Sequence, residues 1–229
     1  MAKKRLSRKE LIKGPDEFIT LTGSVIQWAR GNTKPLLYGT AAFFAVIILI
    51  AVYSLYDARR ERAATALLSE SLGAYQVAES REGNAQQALT LVKPQFERLI
   101  DEYGGQSAGR MGRVIYAHIA LKNRAADDAI VLYRRALSDF GKDLAVTNAI
   151  RNGLATAYLE KGDNAAAVEE FRQIADSRSG VLKDTALFNL GRLYRLSGDV
   201  EKSKQAYEQL RSDFPDSIYG EVAKEKAAG

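Results

Sequence analysis

Seven residues recur in this chain at a fixed interval, and that recurrence restricts its fold more than any other feature. Leu154, Ala155, Tyr158, Gly162, Asp163, Ala167 and Phe171 are followed 36 residues later by Leu190, Gly191, Tyr194, Gly198, Asp199, Ser203 and Tyr207. A third copy begins 38 residues before the middle one: Tyr116, Ala117, Ala120, Arg124, Ala129, Tyr133 and Ala136. A period of this length marks stacked supersecondary units, each too small to bury its apolar face alone. Every copy reads as a helix, a tight turn and a second helix. "EKGDNAAA" and "LSGDVEKS" supply two of the turns. In them Gly162 and Gly198 suit a positive φ, and Asp163 and Asp199 suit the N-cap of the next helix. A small residue at position 8 lets two helices approach, and an aromatic at position 24 fills the groove between them.

Numbered from Arg110, Asn148 and Asp184, the copies cover 110–141, 148–179 and 184–215. This pattern resembles the tetratricopeptide repeat, which places a large residue, Leu-Gly, Tyr, Ala, Phe, Ala and Pro at set positions. Pro215 stands at the final position of the third unit. The departures are Ile174 and Leu210 for the last alanine, Ser203 for another, and the longer spacings, which require longer loops. The resemblance implies an all-α solenoid. "FERLIDEYGGQSAG" at Phe96 echoes "YEQLRSDFPDSIYG" at Tyr207. Residues 57–103 therefore read as a degenerate first unit, with helices Asp57–Ala78 and Ala85–Tyr103. Residues 217–228, carrying Lys224, Glu225 and Lys226, read as a polar helix capping the end of the stack. The repeat domain as a whole is expected over 57–229.

Ahead of it lies Leu36–Tyr56, LLYGTAAFFAVIILIAVYSLY, with neither charge nor proline in 21 residues. Eleven of these are Leu, Ile, Val or Phe. At about 1.5 Å per residue the run is about 31 Å long, the thickness of a hydrocarbon core. A helix buried in a soluble core would carry a polar stripe, and this one has none. A single transmembrane helix is expected at 36–56. A signal peptide has a shorter apolar region nearer its start, although small residues at Ala63, Ala64 and Ala66 leave cleavage open. The chain has no cysteine, which removes lipoprotein anchoring, disulfides, thiol nucleophiles and the common zinc sites.

Charge assigns the sides. Residues 1–35 hold eight bases and three acids, a net +5, which is the whole net charge of the chain. Positive flanks stay cytoplasmic, so a basic cytoplasmic tail at 1–35 and a periplasmic repeat domain are expected. Arg59, Arg60 and Arg62 directly follow the run and argue the other way. Within the tail, Gly14 to Gly31 reads as a short amphipathic helix. Pro15 suits its first turn, Asp16 and Glu17 its dipole, and Gly31 its C-terminal cap. Phe18, Leu21, Val25 and Trp28 share one face. That face suits either the lipid interface, with Trp28 as anchor, or a membrane partner. The residues expected at the membrane interface are Phe18, Trp28, Arg30, Lys34, Arg59 and Arg60.

No catalytic set is legible. A triad needs a base, and the only histidine is His118, at position 9 of its repeat. Gly104-Gly105 lacks the Lys-Ser/Thr of a phosphate loop. Neither a metal cluster nor a cofactor motif is present, and the chain is expected not to be an enzyme. Binding is expected instead on the concave face lined by the first helix of each pair. Its candidates are Met111, Val114, His118 and Leu121 from the first clear unit, Asn152, Thr156 and Leu159 from the second, and Phe188, Arg192 and Arg195 from the third. The Lys/Asn clamp by which some tetratricopeptide domains hold a C-terminal carboxylate is absent. Phe188, Arg192 and Arg195 suit an extended peptide with apolar and acidic residues, or are packed by the chain itself.

The organisation from about Asp16 onward, with Leu36–Tyr56 running into the helix through "SLGAYQVA", resembles the ancillary subunit of the bacterial SecYEG translocon. That resemblance implies an inner-membrane protein that links translocated clients to periplasmic chaperones. The partners it implies are translocon subunits, periplasmic chaperones or clients, beside the lipid bilayer; nucleic acid and small-molecule substrates are not expected. Two alternatives stand beside it. One is an envelope-assembly or cell-division scaffold, which "ALFNLGRLYRLSGDVEKSKQAYEQLRSDFPDS" also resembles. The other is a membrane-anchored receptor with a cytosolic repeat domain.

Overall fold

The structure is a computed structural model and describes residues 17–82 and 85–228. Among the described residues the chain is all helical, with tetratricopeptide-type helix pairs and one long apolar helix near the N-terminus. The helices are α1 (Glu17–Gly31), α2 (Thr33–Glu82), α3 (Ala85–Tyr103), α4 (Ser107–Lys122) and α5 (Ala126–Phe140). They continue with α6 (Leu144–Glu160), α7 (Asn164–Ala175), α8 (Lys183–Leu196), α9 (Val200–Asp213) and α10 (Gly220–Ala228). Contacts divide the chain into two compact units, the first running to Ala58 and the second beginning at Arg59.

In the first unit, α1 is separated from α2 by Asn32 alone. The break has a chemical cause. Pro35 has no N–H to give to the Gly31 carbonyl, so the helical ladder loses a rung there. Asn32 instead closes the last turn of α1. Its backbone N–H bonds the Trp28 and Ala29 carbonyls at 3.0 and 3.3 Å, and its Nδ2 donates to Trp28 O at 3.0 Å. Beyond it the apolar run of α2 is left unburied by the described residues. Thr40, one of its few polar groups, donates its hydroxyl to the Leu36 and Leu37 carbonyls at 3.0 Å each. The expected helix start at Gly14–Asp16 lies outside the described residues.

The second unit is a stack of helix pairs, beginning with the C-terminal part of α2 against α3. The turns within the three clear pairs share one geometry. The N–H groups of Ala125, Asp163 and Asp199 reach back five residues to the carbonyls of Ala120, Tyr158 and Tyr194 at 2.9, 2.9 and 2.8 Å. This Schellman arrangement needs a left-handed residue just before it. Gly162 and Gly198 supply it at φ 75° and 82°, but the first turn uses Arg124 at φ 60°. Asp163 and Asp199 then accept from Ala166 and Lys202 N–H, capping α7 and α9. At the equivalent place in the first pair, Ala125 offers no side-chain cap.

Glycines set the helix spacing. A Cβ on Gly191 would lie 2.7 Å from the Tyr207 ring, one on Gly153 would lie 2.5 Å from Tyr133, and one on Gly112 would lie 2.4 Å from Leu99. Tyr207 and Tyr133 are thus seated on bare backbone of a first helix, its own for Tyr207 and the next for Tyr133. Ser203, the departure from alanine, donates its buried hydroxyl to the Gly191 carbonyl at 2.7 Å, which removes the cost of burying it. Two pairs are also clamped by half-buried ions: Arg113 of α4 with Asp139 of α5, and Arg151 of α6 with Glu170 of α7 at 2.6 Å. The longer loop before α8 is held by buried Asn148, whose Nδ2 donates to Val181 O at 2.9 Å. It ends at Leu182 in the left-handed region, φ 60°.

Candidate protein-binding surface

Three first helices, α4, α6 and α8, carry the ten expected partner-binding residues, and the structure treats those residues differently. Met111 of α4 is exposed, at 39 %. Val114, one turn on, is only 8 % exposed and packs in the core, so it is removed from the contact set. His118 is exposed. Its Nδ1 lies 2.9 Å from the Val114 carbonyl, which makes Nδ1 the donor and Nε2 the acceptor in the neutral ring. The ring stands edge-on to Tyr133, centroids 5.2 Å apart. Leu121 is half-buried against the core. On α6, Asn152 and Leu159 are half-buried and Thr156 is exposed, its hydroxyl returned to the Asn152 carbonyl at 2.8 Å.

At the end of the stack the chain satisfies itself. Phe188 stacks on Tyr219, centroids 4.4 Å and planes 15° apart, and meets Tyr207 edge-on at 6.1 Å. Arg195 donates through Nη1 to the Lys226 carbonyl of α10 at 3.3 Å. Phe188 is therefore packed by the C-terminal segment, which corrects its assignment to an open groove, whereas Arg195 bonds that segment and stays exposed. Arg192 remains exposed, with Nη2 on its neighbour Asn189 at 3.3 Å. The open candidates are thus Met111, His118, Thr156, Arg192 and Arg195. Nothing in that set is a carboxylate, and it mixes one apolar, two hydrogen-bonding and two cationic side chains.

The expected membrane-interface residues divide in the same way. Trp28, Arg30, Lys34 and Arg59 are exposed. The side chain of Phe18 lies outside the described set. Arg60 is turned to the repeat domain: its guanidinium donates to the Glu102 carbonyl at the C-terminus of α3 and lies 5.6 Å from the Tyr103 ring centroid. A cation at a helix C-terminus meets the negative end of the dipole, so this arginine has a structural reason to follow the apolar run.

Sequence reading missed two features. Glu61 accepts from the N–H groups of Ser107 and Ala108 at 2.7 and 2.9 Å, capping α4, whose own N-cap Gln106 provides no side-chain cap. A glutamate 46 residues away has no local signature that would reveal this. At the other end of the same pair, Lys122 bonds Glu79 at 2.5 Å, Tyr75 donates to Glu79 at 3.2 Å, and Asn123 donates to the Tyr75 hydroxyl at 3.1 Å. The Lys122 ammonium holds the Glu79 carboxyl below its ordinary value. Elsewhere burial pushes the Tyr116 hydroxyl up to about 12, and the Phe96 ring lies parallel to it at 5.0 Å. A cleft of about 460 Å³ off the inner face is lined by Leu137, Leu144, Asn148, Arg151, Gln173 and Arg178. Among the described residues no three His, Asp or Glu side chains gather as a metal site would require.

Comparison with known proteins adds the following. A family model described as Tetratricopeptide repeat matches residues 117–181, and a second of the same description matches 185–217. No curated protein matches the chain. One similar solved structure is the crystal structure of BtubC (BKLC) from P. vanneervenii, at 14% identity over 75% of this chain and 84% of that one, with a TM-score of 0.42. No enzyme family is indicated. The helix pairs across 117–181 and 185–217 are tetratricopeptide repeats, an architecture that suggests a protein–protein interaction scaffold.

Proposed function

We propose that the chain is a single-pass, membrane-tethered scaffold with its basic tail in the cytoplasm and its repeat domain in the periplasm, where it receives proteins during translocation or chaperone hand-off. One observation carries this reading: α2 is a single helix from Thr33 to Glu82. The apolar run and the first helix of the repeat domain are one element, with no linker between them. A repeat domain tethered to a membrane span meets its partners at the membrane that translocated chains cross. Orientation rests on the net +5 of residues 1–35. The engagement of Arg60 by α3 supports it, by giving one of the opposing arginines a role in folding. The resemblance to the ancillary SecYEG subunit supplies the translocation context.

Two measurements test the proposal. A photo-cross-linking residue at His118 or Thr156 is expected to capture protein partners, translocon subunits or periplasmic chaperones among them. Recovery of envelope-synthesis enzymes without translocon subunits rejects that context in favour of envelope assembly. Protease added to intact spheroplasts is expected to digest the repeat domain. Its survival until lysis places the domain in the cytosol and rejects the orientation.

A further inference from the structure

We propose that α1 is a membrane-surface helix, with Val25, Ile26 and Trp28 sunk into the headgroup boundary of an anionic bilayer beside the point where α2 enters it. The inference rests on the reading of α2 as a membrane span. These three side chains are 59 %, 51 % and 60 % exposed, an apolar cluster that nothing among the described residues covers. Sequence periodicity extends the same stripe back to Leu21 and Phe18. On the helical wheel Gln27 and Arg30 fall opposite this stripe, Ser24 lies beside its Trp28 edge, and Thr22 is the one hydroxyl between Val25 and Ile26.

Position names the occupant. Asn32 alone separates the end of α1 from the start of α2, and the apolar run begins four residues later at Leu36. In a spanning orientation the stripe therefore lies within a few residues of the hydrocarbon edge, continuous with the surface that lipid already covers. Asn32 and Pro35 interrupt the helix there, so α1 is not bound to the direction of the span. Arg30 and Lys34 flank the joint, and both are exposed. Amphipathic helices with tryptophan on the apolar face and bases at the boundary bind such interfaces, more strongly when the lipid is anionic.

Trp28 is the only tryptophan of the chain, so its fluorescence reports on α1 alone. The full chain is reconstituted at low protein-to-lipid ratio in vesicles of phosphatidylcholine and phosphatidylglycerol. Resistance to alkaline extraction reports the span. Aqueous iodide and lipids brominated near the headgroup report Trp28. The expected result is extraction resistance, blue-shifted emission, several-fold weaker iodide quenching than free tryptophan, and efficient quenching by the brominated lipid. Val25→Glu with Ile26→Glu should restore iodide access and leave extraction resistance unchanged. Resistance to extraction with Trp28 fully open to iodide overturns the surface helix and spares the span. Loss of the chain to the alkaline supernatant overturns the span, and the inference with it.

Discussion

Glu61 accepts the backbone N–H of Ser107 at 2.7 Å across 46 residues of chain, and its second oxygen takes Ala108 at 2.9 Å. One carboxylate thereby satisfies two donors at the start of α4 and places a negative charge at the positive end of its dipole. Its neighbour Arg60 does the converse at the end of α3. The first turns of α2 after the apolar run are thus joined to both helices that follow.

Glu61→Ala is therefore expected to destabilise the repeat domain by about 1–2 kcal/mol, the range for losing a helix cap. Glu61→Gln, which keeps an acceptor and loses the charge, should cost less. Thermal unfolding of the full chain in detergent, followed by far-ultraviolet circular dichroism, measures both. No change in either variant would mean the cap adds nothing.

Arg124 occupies the left-handed position that glycine fills in the two later turns. A side chain with a Cβ costs about 1–2 kcal/mol there. Arg124→Gly should recover much of that, stabilising the chain by up to about 1 kcal/mol after the greater unfolded-state entropy of glycine is subtracted. Gly162→Ala and Gly198→Ala should each destabilise by a similar amount. A destabilised Arg124→Gly protein would reject strain as the governing term at this turn.

Gly191 lies under Tyr207, with room for no Cβ beyond 2.7 Å. Gly191→Ala should destabilise by about 1–3 kcal/mol through overpacking. Because the two residues touch, adding Tyr207→Leu should cost less than the sum of the single changes. A double-mutant cycle that is additive would show that the helices, rather than the ring, give way.

Lys122 holds Glu79 ionised below the ordinary carboxyl value of 4.5. A carboxyl depressed in the folded state stabilises it above the unfolded pKa, and that contribution is lost as pH falls through the folded pKa. The tie between α2 and α4 should therefore weaken on acidification below about pH 4.5 and be flat above it. Glu79→Gln should reduce the acid-side slope of the melting temperature. An unchanged slope would assign acid sensitivity to other carboxylates.

The repeat was legible because its signals are local. Gly162, Asp163, Gly198 and Asp199 act within a few residues of where they stand, so turn chemistry and helical period announced them. Arg124 broke the glycine rule, yet the alignment of the copies placed the turn correctly. What stayed hidden was contact across sequence. Val114 occupies a nominal inner position but is drawn into the core by neighbouring helices. Arg60 reads from sequence as a charge at the membrane, but its guanidinium meets the C-terminal end of α3. Phe188 and Arg195 read equally as ligand-binding or self-packed, and the structure packs Phe188 on Tyr219 while Arg195 stays exposed. A repeat register names the helix face. It does not say whether a terminal segment already lies on it.

That last distinction gives a separable prediction for α8. Phe188 stacks on Tyr219, and such an aromatic pair is worth about 0.5–1.5 kcal/mol beyond the area it buries. Phe188→Ala should therefore destabilise the end of the stack, by about 2 kcal/mol once the lost burial of a half-covered ring is added. Arg192 lies one turn further along the same helix and bonds only its neighbour Asn189 among the contacts described. Arg192→Glu should leave the melting temperature nearly unchanged, because exposed substitutions seldom exceed about 0.5 kcal/mol. It should nonetheless reduce partner capture from a cross-linker at Thr156, since it reverses one of the two exposed cations among the inner-face candidates. The two variants thus separate folding from binding on one helix. If Arg192→Glu melts early, or captures partners as well as the parent chain, the binding role of this face falls to Met111, His118, Thr156 and Arg195.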